Sequence, residues 1–154
     1  MGKIDLRYYV SINNVTYTRD EFYEKMVLSA IDSPVTSSIE ILGSKVVKYL
    51  LTERGSDAFN PDYGGVSMHH IQLSEEDMPK FRLEVLDDIA KCTEYIINTS
   101  ESQLAYNDTE SARLASITLV DITYATLAQI DVYIDILSTI GKHQVVTITK
   151  HTDS

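Results

Sequence analysis

With 23 acidic residues against 13 basic ones in 154, carboxylates are the first groups to test for chemistry. Glycoside hydrolysis needs two carboxyl groups about 5–10 Å apart, one of them with a raised pKa. So many acids allow sequence-distant pairs to be drawn at will, none stands out, and there is no Trp to line a sugar groove. His69 and His70 are adjacent, so on a strand they point to opposite faces, and no third ligand is spaced to join them. They read as a polar passage from loop to strand. Cys92 is the only cysteine and falls within an apolar helical stripe, which fits a reduced, buried, inert thiol. Gly64-Gly65 lacks the spacing and the Lys of a phosphate loop, and no Ser sits in a nucleophile elbow. Asn14-Val15-Thr16, Asn98-Thr99-Ser100 and Asn107-Asp108-Thr109 match the glycosylation pattern by chance, since no secretion signal accompanies them. These residues point to a non-enzyme with no cofactor and no metal. The 10 tyrosines suit protein interfaces better than catalysis. Tyr63 and Phe59 in one loop, and Tyr8 and Tyr9 near the N-terminus, are the aromatic candidates for partner contact. Packing against adjoining helices is the alternative for each.

The elements that must carry these residues follow from composition and periodicity. A chain of this length, 44% hydrophobic and 23% charged, suits one domain with its own core. No run of about 18 apolar residues suggests a membrane span. The start, Met1-Gly2-Lys3-Ile4-Asp5-Leu6-Arg7, lacks the apolar stretch of a secretory signal, so a reducing cytoplasm is expected during synthesis. A net charge of −10 opposes non-specific nucleic-acid binding and favours basic partner surfaces.

Residues 1–18 read as an N-terminal arm or short hairpin, with Asn13-Asn14 as the turn, and 19–154 as a single α+β domain. Thr18 or Asp20 caps a first helix bearing Phe22, Met26, Val27, Ala30 and Ile31, which Ser33-Pro34 ends. Ser37 or Ser38 opens a second, with Ile39, Leu42, Val46 and Leu50 in one stripe widened by Val47 and Leu51. Gly55 suits a helix C-terminus where positive φ is needed, Pro61 fixes its own φ, and Gly64-Gly65 supply another turn. Ser74-Glu75-Glu76-Asp77 caps a third helix whose face is Phe81, Val85, Ile89, Cys92 and Ile96, with Leu86 and Tyr95 beside it. From Asn98 to Asp108 the chain turns polar and the helical pattern breaks. After it the period becomes two. Ile130, Val132, Ile134 and Ile136 alternate with Asp131, Tyr133 and Asp135. Between Ile117-x-Leu119 and Val120-x-Ile122 the alternation slips, which predicts a bulge. Gly141-Lys142 turns into a last strand, Gln144 to Lys150. The fold class is α+β, with two to three helices packed on a small, mainly antiparallel β meander.

The run Leu50-Leu51-Thr52-Glu53-Arg54-Gly55, followed by Pro61-Asp62-Tyr63-Gly64, resembles the small baseplate wedge or sheath-initiator proteins of contractile phage tails. That family, historically labelled lysozyme-like, is similar in having a helix ending Leu-Leu-Thr, then a Gly, then Pro-x-(Tyr/Phe)-Gly. The similarity extends in element order over about residues 38 to 150. It implies a structural protein of the virion tail baseplate, assembled in the host cytoplasm, with copies in a six-fold ring. Implied partners are the tail sheath protein, other wedge proteins and the tail tube, with no nucleic acid and no membrane. The family also carries a Glu-Pro-Arg signature that grips the wedge. The nearest match is Glu110-Ser111-Ala112-Arg113, longer by one residue and without the Pro, so the resemblance implies that role for Glu110 and Arg113. A solvated loop acid and a strand-edge Arg are the alternative. The resemblance further implies that the terminal strand, here Val145, Val146, Thr147, Ile148, Thr149 and Lys150, pairs with arms of the first sheath ring by β-augmentation. An ordinary internal strand is the alternative for those six residues. A type VI secretion counterpart and a cytoplasmic adaptor on the same fold are the rival readings of the whole chain.

Overall fold

The computed structural model describes residues 5–32, 38–102 and 113–153, with side chains for all but residues 5, 26–32, 38, 100–102 and 153. Strand β1 (Asp5–Ile12) and strand β2 (Val15–Thr18) form a hairpin through Asn13 and Asn14. Both asparagines adopt left-handed backbone, φ 53° and 65°, the combination whose twist matches flanking strands. Helix α1 (Arg19–Asp32) starts on a reciprocal cap. Thr18 Oγ1 accepts the Glu21 N–H at 3.3 Å, and Glu21 returns a carboxylate oxygen to the Thr18 N–H at 3.2 Å. Phe22 on α1 is fully buried. The other apolar positions expected there, Met26, Val27, Ala30 and Ile31, lie outside the described side chains, as do Ser33-Pro34 and Ser37.

Helix α2 (Ser38–Leu51) buries Leu42, Val46, Val47, Leu50 and Leu51, the stripe its spacing predicts. Helix α3 (Met78–Ser102) follows a single 3-10 turn at Glu75–Asp77, where Ser74 and Asp77 form the capping box. Phe81, Val85, Ile89, Cys92 and Ile96 are all buried. The helix does not break at Asn98 but runs on to Ser102; Thr99 Oγ1 turns back to the Tyr95 carbonyl at 2.7 Å, so this polar residue satisfies itself within the helix.

Strands β3 (Leu114–Thr126), β4 (Gln129–Ser138) and β5 (His143–Asp153) complete one antiparallel sheet in the order β2-β1-β5-β4-β3. Its inner face is a set of cross-strand rows: Val10, Ile148 and Val132; then Ile12, Val146 and Ile134, all buried. Helices on a small antiparallel sheet make an α+β fold. The register of β3 slips three times, once between Leu119 and Asp121, so Val120 is the extra residue that the broken alternation predicts.

Of the two forms expected for residues 1–18, the structure has the hairpin over the described residues 5–18, and β1 also pairs with β5 at eight positions from Asp5↔Asp153 to Ile12↔Val146. For the same reason Val146 to Lys150, expected to pair with a partner, offer no free edge: each is paired with β1 on one side and β4 on the other, while Val145 pairs with Asp135 of β4 alone. Among the described residues the outer strands of the sheet are β2 and β3.

Candidate functional site

The motif loop after α2 is built around one buried acid that the sequence reading did not single out. Asp88 on α3 is fully buried. Its carboxylate accepts the Val66 N–H at 3.0 Å, the Ser67 N–H at 2.9 Å and the Ser67 hydroxyl at 2.6 Å. The Arg54 guanidinium reaches it at 3.3 Å and also donates through Nε to the Gly64 carbonyl at 3.1 Å. The Arg54 N–H then binds the Gly65 carbonyl at 3.1 Å, and the Gly65 N–H binds the Thr52 carbonyl at 2.9 Å. Such close backbone approach explains both glycines. A Cβ at Gly64, where φ is +113°, would stand 2.4 Å from the Thr52 carbonyl oxygen, and one at Gly65 would stand 2.9 Å from the Asp88 carboxylate. Gly55 has the expected positive φ, +90°, but it lies four residues beyond Leu51, the last residue of α2, in a turn that the Ser56 N–H closes onto the Glu53 carbonyl at 3.1 Å rather than at the helix end. The motif is therefore a clamp: Arg54 and Asp88 fasten the two ends of a loop whose middle projects.

A signal for Asp88 existed. It stands three residues after Val85 and four before Cys92, inside the buried stripe, where an acid requires partners. Chemically the cluster is closed. Ser67 is buried and gives its hydroxyl proton to Asp88 directly, with no imidazole between them, so it is not set up as a nucleophile. Burial, then the nearby Asp88, pushes the Cys92 thiol far above its ordinary range. His69 lies in a 3-10 turn, Ser67–His69, rather than leading into a strand. Its Nδ1 meets the Tyr8 hydroxyl at 3.1 Å, and burial lowers its pKa. His70 pairs instead with Glu84. Among the described residues no three His, Cys, Asp or Glu side chains converge as a metal site would need.

The aromatic candidates separate. Tyr8 is a core residue: its hydroxyl donates to the Met68 carbonyl at 2.8 Å, and burial holds its pKa up to about 12. Tyr9 is half-buried and meets His151 edge-on. Tyr63 packs with Tyr49 and Tyr95, ring centroids 4.8 and 5.0 Å away. It forms one wall of a cavity of about 200 Å³ that Lys45, Lys48, Tyr95, Ile96 and Thr99 also line. Phe59, four residues earlier, is wholly exposed at the loop tip. Its position is fixed by its own N–H, which donates to the Asp57 carboxylate at 2.9 Å.

Arg113 opens the polypeptide leading into β3, half-buried, and its carbonyl accepts the Thr139 N–H at 3.0 Å. Glu110 lies outside the described residues, so no Glu110–Arg113 pairing is described. Beyond Arg113, β3 has β4 on one side and, among the described residues, no strand on the other. Val120 and Tyr124 are exposed on it, and Asp121 holds the Ile122 N–H at 2.8 Å. No family model, no curated protein and no solved structure matches this chain.

Proposed function

We propose that the protein is a non-enzymatic structural component of a contractile phage tail baseplate, attached to the wedge and starting the sheath. The resemblance of Leu50–Gly65 to the sheath-initiator loop supports this reading, together with the order of elements around it. The observation that carries it furthest is the 13-residue strand β3, bordered by β4 alone among the described residues. An edge of that kind presents alternating N–H and C=O groups to an incoming strand. Each backbone hydrogen bond gained contributes a net ~0.5–1.5 kcal/mol, and repetition around a ring adds avidity to a short strand. The strand that accepts the sheath arm is thus β3 in place of β5, whose edges are both occupied.

Three register slips and the Asp121 carboxylate interrupt the edge, which suits a surface kept for one partner and guarded against indiscriminate pairing. Tail sheath, wedge proteins and tail tube are the partners of this reading, and the virion is its location. Reconstruction of the assembled tail is the test: a sheath strand should lie beside Val120 to Thr126. If β3 faces solvent in the particle, the augmentation mechanism is wrong; if the protein is missing from the tail, so is the assignment. Peptidoglycan cleavage by the purified protein would overturn its non-enzymatic character.

A further inference from the structure

We propose that the protein forms a two-fold dimer in which Phe59 of each copy enters the tyrosine-lined cavity of the other. This rests on the loop and cavity geometry and is independent of the tail reading. Phe59 is a large apolar side chain wholly exposed on a loop that the Arg54–Asp88 clamp closes at its base. Further bonds stiffen the tip: Asn60 N–H to the Asp57 carbonyl at 3.3 Å, and Tyr63 N–H to the Asn60 carbonyl at 3.1 Å. A side chain held ready in this way loses little freedom on docking. The cavity between α2 and α3 has room for it, since a void of about 150 Å³ already accepts a benzene ring. Its Tyr63 and Tyr95 walls suit edge-to-face contact with a phenyl group.

Charge and position select a second copy as the occupant. The tip carries exposed Asp57 and Asp62, whereas the cavity is flanked by Lys45 and Lys48, two of only 13 cations in a chain of net charge −10. Neither lysine makes an ion pair among the described residues. Knob and hole on the same molecule are therefore matched in size and aromatic character and opposite in charge. They are also neighbours, because Tyr63 of the cavity wall is four residues from Phe59. Adjacent complementary features suit a closed, isologous pair, in which one two-fold axis lets both insertions form together.

The full chain is tested by sedimentation velocity from about 1 µM to about 1 mM, a range that covers weak and tight dimers. Ionic strength is kept near 0.15 M, where the Debye length is about 8 Å and the like net charges are screened. Phe59→Ala should weaken dimerisation at least about 100-fold, because two copies of the anchor are lost at once. It should fold normally, as its side chain touches no core. Asp62→Lys and Lys48→Glu should each weaken the dimer alone, yet an equimolar mixture should associate, since every knob then meets an opposite charge. With no Trp elsewhere, Phe59→Trp supplies a single indole whose emission should shift to the blue as concentration rises. A wild-type monomer over the whole range overturns the proposal, as does a Phe59→Ala dimer of unchanged affinity or a mixture that fails to associate. An indole that shifts only when another protein is added assigns the cavity to that protein and overturns it too.

Discussion

Asp88 and Lys150 are both charged, both buried, and treated in opposite ways by the fold. Asp88 is saturated: two backbone N–H groups, a hydroxyl and a guanidinium surround its carboxylate. Lys150 stands on the inner face of β5, between Ile130 and Tyr8 in the sheet register, and its ammonium has no hydrogen bond or ion pair among the described residues. Burial alone lowers its pKa to about 8. The first charge organises a loop from within the core; the second is a load that the surrounding apolar rows carry. A buried ion contributes to order through its partners, and without them it contributes only a desolvation cost.

Substitutions can break this contrast. Asp88→Ala leaves Arg54, Ser67 and two amide donors without their acceptor and should cost about 3–5 kcal/mol in urea unfolding. A loss under about 1 kcal/mol would mean that the loop holds itself and the clamp is incidental. Lys150→Met should act in the other direction, stabilising the fold by of order 2 kcal/mol at neutral pH through relief of desolvation.

The pH profile sharpens the same point. Folded Lys150 releases its proton near pH 8, while the unfolded chain keeps it to the ordinary 10.5. Over that window the unfolded state binds more protons at this group, so wild-type stability measured against Lys150→Met should rise between about pH 8 and 10.5, while the raised Cys92 thiol lowers both proteins alike above its ordinary 9.0. Tyr8 opposes the rise at the upper end. Its contribution is complete below pH 10 and is lost as pH climbs through about 12. Ser67→Ala removes a single donor to Asp88 and should cost about 1 kcal/mol, the smallest effect of the set.

Much of the architecture could be read from local pattern because local physics decides it. Asn13-Asn14 announces the hairpin turn, Ser74…Asp77 the start of α3, and the slip at Val120 the bulge, each through a conformational demand met within a few residues. Face assignment was equally legible, since alternation along β4 and β5 reports which side is wet. Edge assignment was not. Nothing in Val145 to Lys150 reveals that β1, from the opposite end of the chain, closes the strand's second side. The burial of Lys150 follows from alternation, which puts it on the same side of β5 as Val146 and Ile148. Asp88 escaped notice because its neighbour Asp87 is exposed, and the pair reads as surface acid unless the stripe is counted to 88. Arg54 read as part of a helix stop, although its guanidinium bridges Gly64 and Asp88, residues ten and 34 positions away.

The seam between β1 and β5 also governs how this chain is made. The first hairpin leaves the ribosome with its inner rim bare, and its proper neighbour is not translated for on the order of a hundred further residues. Until then that rim is open to adventitious pairing with other nascent chains. Completion of the sheet therefore waits for β5, and yield in the cell should respond more to chaperone supply and growth temperature than to the stability of the finished molecule.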